Sequence, residues 1–240
     1  MSLLKLRRDL RKCGNKRQAK LLQRFFKTGP GEYAQGDIFL GAKVPSLRKL
    51  ADQNQDLAFQ ETLELLKSPI HEERLLSLLI LIIKYEKSLP AGKERIYKAY
   101  LKHSRYINNW DLVDITAWHI VGDFLAHRDR AVLYKLANSD ALWERRIAII
   151  STFYFIKNND FRDTLKIAKI LMADPHDLIH KAVGWMLREV GKRKINTEEE
   201  FLKRYCRIMP RTMLRYAIER FPEPKRKAYL AGRPLNSWPA

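Results

Sequence analysis

Three segments of this 240-residue chain set a Trp close to charged residues within otherwise apolar, helix-like sequence. They are Trp110-Asp111-Leu112-Val113-Asp114, Trp143-Glu144-Arg145-Arg146 and Lys181-Ala182-Val183-Gly184-Trp185-Met186-Leu187-Arg188. On a helix Trp110 and Asp114 share a face. An aromatic wall beside a carboxylate suits a transition state that gains positive charge. Breaking an N-glycosidic bond places such charge on the sugar, as in the oxocarbenium-like states of glycoside hydrolysis. A carboxylate stabilises that charge and orients an attacking water, and a Trp face attracts cations within about 6 Å. The same two residues also fit a core Trp and an Asp that caps a helix or pairs with Arg.

Trp143 with Arg146, and Trp185 with Arg188, are each three apart and share faces. The planar Arg fork suits bidentate phosphate binding, whereas a Trp stripe equally suits a core. Gly184 admits close approach by a backbone or a ligand. Lys192-Arg193-Lys194 follows Gly191 at an expected helix end, either as dipole-compensating charge or as phosphate contacts. His176 and His180 have the i, i+4 spacing of metal ligands, but HEXXH is absent and no third ligand is indicated, so no metal is expected. Glu72-Glu73 reads as an acidic helix start rather than an acid/base dyad. No Walker A loop, GxGxxG or nucleophile elbow occurs, and no cofactor is expected.

The elements that must position these residues are helices. Gly and Pro punctuate the chain, and between them apolar residues recur at three- and four-residue spacing, as at Phe59, Leu63 and Leu66. Ser68-Pro69, Asp174-Pro175 and Asn196-Thr197 before Glu198-Glu199-Glu200 read as helix starts. Roughly twelve helices of ordinary length are expected. Arg74, Asp111, Arg146, Lys181 and Arg215 fall in register at intervals of 37, 35, 35 and 34, each followed by mostly apolar residues. That period, with two helices per unit, predicts an all-α, HEAT-like solenoid. Equivalent positions of successive inner helices would line one concave face with a basic row, interrupted by the segment holding Asp111 and Asp114. Snorkelling of Arg and Lys from buried helix starts is the competing explanation.

The formal net charge of +19 implies a polyanionic partner, nucleic acid before an anionic membrane surface. Hydrophobic content of 46% argues against disorder. Cys13 and Cys206 lie in no CxxC pair and signal no disulfide scaffold. The N-terminal sequence lacks a secretory apolar core, and the longest apolar run, Leu75 to Ile83, is too short to span a bilayer. These features lead us to expect a reduced cytoplasmic compartment, nucleoid-associated in a bacterium. One helical domain is expected over 1–221, with a basic, Pro-containing tail over 222–240 that starts with one short helical stretch.

The chain also resembles the AlkD-like family of DNA alkylation-repair glycosylases. The matching pieces are Gly36-Asp37-Ile38-Phe39-Leu40-Gly41 with Pro45 and Arg48; Trp110 to Asp114; Trp143 with Arg146; Lys181 to Glu189; and Met209-Pro210-Arg211 with Leu214 to Ile218. The resemblance implies a right-handed HEAT-like solenoid that grips duplex DNA in its concave basic groove. It implies excision of positively charged N3- and N7-alkylated purines without a metal, as in base excision repair. Asp114 would be the catalytic carboxylate, Trp110 and Trp185 the aromatic walls around the lesion's sugar, and Arg146 the residue holding the adjacent DNA backbone. Arg188 would be a further phosphate contact, beside Lys181, Lys192 and Arg193 on the expected basic face. The 36–48 loop receives no chemical role. Some family members bind DNA without excising bases, having lost the acidic or basic site residues; this chain keeps both. A silent DNA-binding protein and a protein-binding HEAT scaffold are the alternatives, and a monomer suffices for any of them.

Overall fold

The computed structural model describes residues 2–232, and among these the regular structure is helical: fourteen α-helices, three 3₁₀ turns and one π-helical turn. Among the described residues extended pairing is limited to an isolated bridge between Ile38 and Ile70. The chain divides between Thr116 and Ala117 into two compact units.

The first unit contains α1 (Leu3–Lys12), α2 (Lys16–Phe25), α3 (Val44–Gln53), α4 (Phe59–Leu66), α5 (His71–Lys87) and α6 (Pro90–Lys102), and the start of α7 (Trp110–Ala117). Helix α5 is its centre: α3, α4 and α6 pack on it, and α1 packs on α3 and α4. The apolar run beginning at Leu75 lies on α5, and every residue from His71 to Ile82 is buried. A helix that is apolar on all sides belongs inside a core. Each fully buried Leu or Ile there contributes about 1.5–3 kcal/mol of transfer free energy. Ser2 and Asn15 cap α1 and α2, and proline occupies the first turn of α3 and of α6, where its missing N–H costs nothing.

The second unit opens with the π turn Trp118–Gly122 that directly follows α7. It continues through α8 (Ala131–Ala137), α9 (Leu142–Lys157), α10 (Arg162–Ile170), α11 (Asp177–Arg193), α12 (Ile195–Tyr205), α13 (Arg211–Ala217) and α14 (Glu223–Leu230). Two layers result. The π turn, α9, α11 and α13 pack side by side in one, while α8 and α10 back onto α9, and α10 and α12 onto α11. Stacked helix pairs of this kind are the solenoid arrangement expected from the repeat. Arg146, Lys181 and Arg215 are each the fifth residue of α9, α11 and α13, and Arg74 and Asp111 lie on α5 and α7. The period of about 35 residues therefore counts every second helix.

Two glycines set the layer spacing. A Cβ on Gly184 of α11 would lie 2.4 Å from the Met213 carbonyl oxygen and 2.5 Å from Tyr216 Cβ, on α13. A Cβ on Gly122 would lie 2.4 Å from the Ser151 carbonyl oxygen, on α9. Gly184 thus admits a neighbouring backbone.

One sequence expectation shifts. Helix α12 starts at Ile195, before Asn196-Thr197, because the Lys194 carbonyl already accepts from the N–H groups of Thr197 and Glu198. The segment from 222 supplies α14; the rest of the expected tail, 233–240, lies outside the described residues.

Candidate active site and nucleic-acid interface

The loop before α3 is built around one carboxylate. Glu72, buried in the first turn of α5, accepts hydrogen bonds from the backbone N–H groups of Leu40 (2.9 Å), Gly41 (2.7 Å) and Ala42 (3.3 Å). Gly41 has φ 81°, and a Cβ there would lie 2.2 Å from the Asn15 carbonyl oxygen, so only glycine fits. The sequence offered no role for this loop; its role is to hold Asp37 and Phe39 against α5. Glu73, the other member of the acidic pair, is also buried and meets Arg7 at 3.1 Å.

Asp37 starts a buried chain of charges. Its Oδ2 lies 2.6 Å from Arg74 Nη2 and 3.3 Å from His71 Nδ1. The other ring nitrogen, His71 Nε2, lies 2.8 Å from Asp111 Oδ2 in the first turn of α7. Burial opposes ionisation of Asp37, but the His71 hydrogen bond and the Arg74 charge outweigh it and hold the carboxyl below the usual range. Burial likewise opposes protonation of His71; the Asp111 charge and the hydrogen bonds to Asp111 and Asp37 prevail and raise its pKa.

This geometry corrects the expected basic row. Arg74 is buried, with Nη1 on the Ser68 carbonyl at 2.9 Å and Nη2 on Asp37, so its charge is neutralised inside the fold. Asp111 faces His71. Of the other register positions Arg146 is buried as well, Lys181 is half-buried and Arg215 is exposed.

Trp110 sits at the end of an aromatic stack. Phe39 stacks on His71 at 4.5 Å, Phe26 on Phe39 at 5.1 Å, and Trp110 on Phe26 at 5.2 Å. Phe25 meets Trp110 edge-on at 6.0 Å. Asp114, one turn further along α7, is half-buried like Trp110. Its charge acts on Tyr100, whose hydroxyl lies 2.7 Å from Thr116 Oγ1 and whose pKa is raised, first by burial and then by Asp114. Sequence reasoning missed Phe26, Phe39 and His71. The only signal was the unexplained match at Gly36 to Gly41.

In the second unit Arg146 is buried in α9, with Nη1 2.5 Å from the Leu178 carbonyl oxygen in the first turn of α11. Trp143 is half-buried at the start of α9. Lys181, Trp185, Arg188 and Lys192 form one stripe along α11. Each cation of the stripe has an acidic neighbour: Lys181 pairs with Asp177 (2.7 Å), Arg188 with Glu219 and Lys192 with Glu189 (2.6 Å). Glu189 also accepts from Trp185 Nε1 at 3.0 Å. The Trp185 ring lies 6.0 Å from Phe153, which meets Trp118 edge-on at 5.5 Å, and Lys157 Nζ sits 4.3 Å over Trp118. Arg193 is exposed at the end of α11. His176 Nδ1 accepts from the Leu178 N–H at 3.1 Å as the α11 cap, and burial lowers its pKa. His180 Nε2 donates to the Asp174 carbonyl at 2.5 Å. Among the described residues no group of three His, Cys, Asp or Glu side chains is placed to hold a metal ion.

The fold and these side chains define an all-helical repeat protein with a Trp–carboxylate pair on one helix and a basic, aromatic stripe on another. The sequence model of the DNA alkylation repair enzyme family matches residues 6–221, and the chain belongs to that family. Membership supports a role in DNA alkylation repair. The fold is similar to the solved structure of a predicted DNA alkylation repair enzyme from Enterococcus faecalis, with a TM-score of 0.67 and 15% identity over 88% of this chain and 97% of that one. At that identity the likeness speaks for the fold alone. Comparison with the curated proteins finds no match. Among the described residues no helix is long and apolar enough to cross a membrane.

Proposed function

We propose that the protein is a DNA glycosylase that releases positively charged N3- and N7-alkylpurines from duplex DNA. The observation that carries this reading is a carboxylate beside an aromatic ring at the start of α7: Asp114 and Trp110, both half-buried, stand one turn apart on one helix. Family membership supplies the DNA context.

In this mechanism the bond from C1′ to the purine nitrogen breaks and its electron pair leaves with the base. An N3- or N7-alkylated purine is already cationic, so it departs neutral and needs no general acid. Asp114 stabilises the positive charge that develops on the sugar and orients water for attack at C1′. Trp110 supplies an aromatic face to the same charge. In the second unit the family resemblance makes Arg146 a contact to the DNA backbone, Arg188 a further phosphate contact and Trp185 an aromatic contact to a sugar. Lys181, Lys192 and Arg193 add phosphate attraction.

The test is release of methylated base from alkylated duplex DNA by the wild type and by Asp114→Asn. Loss of one well-placed electrostatic group costs about 10²-fold or more in rate. Equal release by both proteins overturns the catalytic assignment. A wild type that binds alkylated duplex yet releases no base is instead a silent DNA-binding member.

A further inference from the structure

Helix α2 buries none of its ten residues. Its outward side carries Arg17, Lys20 and Arg24 together with Leu21 and Phe25, which are 53% and 64% exposed. A ten-residue helix has little stability alone in water, so one with two large apolar side chains in solvent must be held from elsewhere. Asn15 caps it, accepting from the Gln18 N–H at 2.9 Å, and the Asn15 N–H donates to the Leu40 carbonyl at 2.8 Å. Leu40 and Gly41 are in turn clamped by Glu72. Phe26, the residue after the helix, joins the stack that ends at Trp110. The posture of α2 is therefore fixed while its face stays open.

The charge on that face is unmatched. The helix contains no acidic residue, and among the described residues no carboxylate pairs with Arg17, Lys20 or Arg24. The basic stripe of α11, by contrast, has an acidic neighbour for each cation. An open face of cations interleaved with an aromatic ring fits a nucleic acid, whose phosphates meet the cations and whose bases or sugars meet the ring. A membrane surface would call for a broader apolar face than Leu21 and Phe25 provide. Phe25 also touches Trp110 edge-on at 6.0 Å, which makes the face continuous with the proposed site.

We propose that α2 is a DNA-contacting element in its own right: Arg17, Lys20 and Arg24 engage phosphates flanking the lesion, and Phe25 packs on a base or sugar beside Trp110. The inference rests on the reading that duplex DNA is the substrate. The experiment is binding of the full chain to a fluorescein-labelled duplex, followed by anisotropy over a salt series. With Arg17→Gln, Lys20→Gln and Arg24→Gln combined, the log–log salt slope falls by about 0.9 for each phosphate that is no longer neutralised. Phe25→Ala weakens binding by about fivefold or more with the slope unchanged, since it removes a ring and no charge, and Phe25→Trp restores it. The three cations are exposed, so the triple variant keeps the wild-type melting temperature; Phe25→Ala also gives up the edge contacts with Phe26 and Trp110, and Phe25→Trp restores a ring there.

Unchanged affinity and slope in the triple variant, with the wild type binding DNA, overturns the proposal. So does a triple variant that loses only its binding to phosphatidylglycerol vesicles, which would assign the face to a membrane. A wild type that binds no duplex overturns both this inference and the glycosylase reading. Duplex binding that depends on α2 without base release overturns the glycosylase reading alone.

Discussion

His71 Nε2 lies 2.8 Å from Asp111 Oδ2, and this contact ties the most buried helix of the first unit to the turn that carries Trp110. Behind His71 stand Asp37 and Arg74. With His71 protonated, the four groups hold two positive and two negative charges and the buried cluster is neutral. Without that proton it is left one negative charge in excess. A buried charge without compensation is costly, which is why the two carboxylates prevail over burial and raise the His71 pKa.

Stability should follow that proton. The folded His71 pKa lies above its usual 6.5, so the cluster's contribution is fully present below about pH 6.5 and is lost as pH rises through the raised value. Asp37 is shifted downward, so its contribution is present above about pH 3.8 and is lost as pH falls through the lowered value. Urea titrations of the wild type and His71→Gln across this range should show their largest difference, on the order of 3–5 kcal/mol, between these limits. The gap should close toward alkaline pH. A gap independent of pH would show that His71 acts by packing alone.

The sequence made the helices and their repeat legible because both depend on local patterning. Apolar spacing marks each helix, and the registered residues mark every second one. The Trp110–Asp114 pair was legible for the same reason, being one turn of one helix. The Asp37–His71–Asp111 chain was not. Its partners are 34 and 40 residues apart, and a single His among polar neighbours shows no period. Arg74 was assigned to the exposed basic row because position on a helix predicts a face, but does not reveal that a carboxylate from a distant loop will cover it. Glycine at 184 left backbone or ligand approach open, since either needs the same missing side chain.

Gly184→Ala separates those two options. In an open helix interior the change would gain about 1 kcal/mol of helix propensity. Here the new Cβ meets the backbone oxygen of Met213 at 2.4 Å, and a backbone cannot move aside as a side-chain tip can. Overpacking costs about 1–3 kcal/mol or more and should outweigh the gain. Calorimetry should show a lower melting temperature, by roughly 3 °C for each kcal/mol of net loss. A higher melting temperature with weakened DNA binding would instead mean that the glycine makes room for ligand.

Glu198 gives the sharpest pH signature in the second unit. It lies in the first turn of α12, is only 1% exposed, and its carboxylate abuts Gly191 at the end of α11. The nearby cations have other partners, Arg188 with Glu219 and Lys225 with Glu199. Burial first, and then the charge of Glu199, push the Glu198 carboxyl up to about 8. The folded state then keeps a proton that the unfolded chain releases above its ordinary value of 4.5. Stability must therefore fall as pH rises from about 4.5 through about 8, at up to about 1.4 kcal/mol per pH unit. Glu198→Gln keeps the shape and removes the titration. It should match the wild type near pH 4.5 and exceed it above pH 8 by on the order of 2–4 kcal/mol in urea unfolding. Because both proteins retain His71, their difference at each pH isolates Glu198. A difference that stays flat from acid to alkaline pH would mean that Glu198 is ionised in the folded state and that Arg188 or Lys225 reaches it after all.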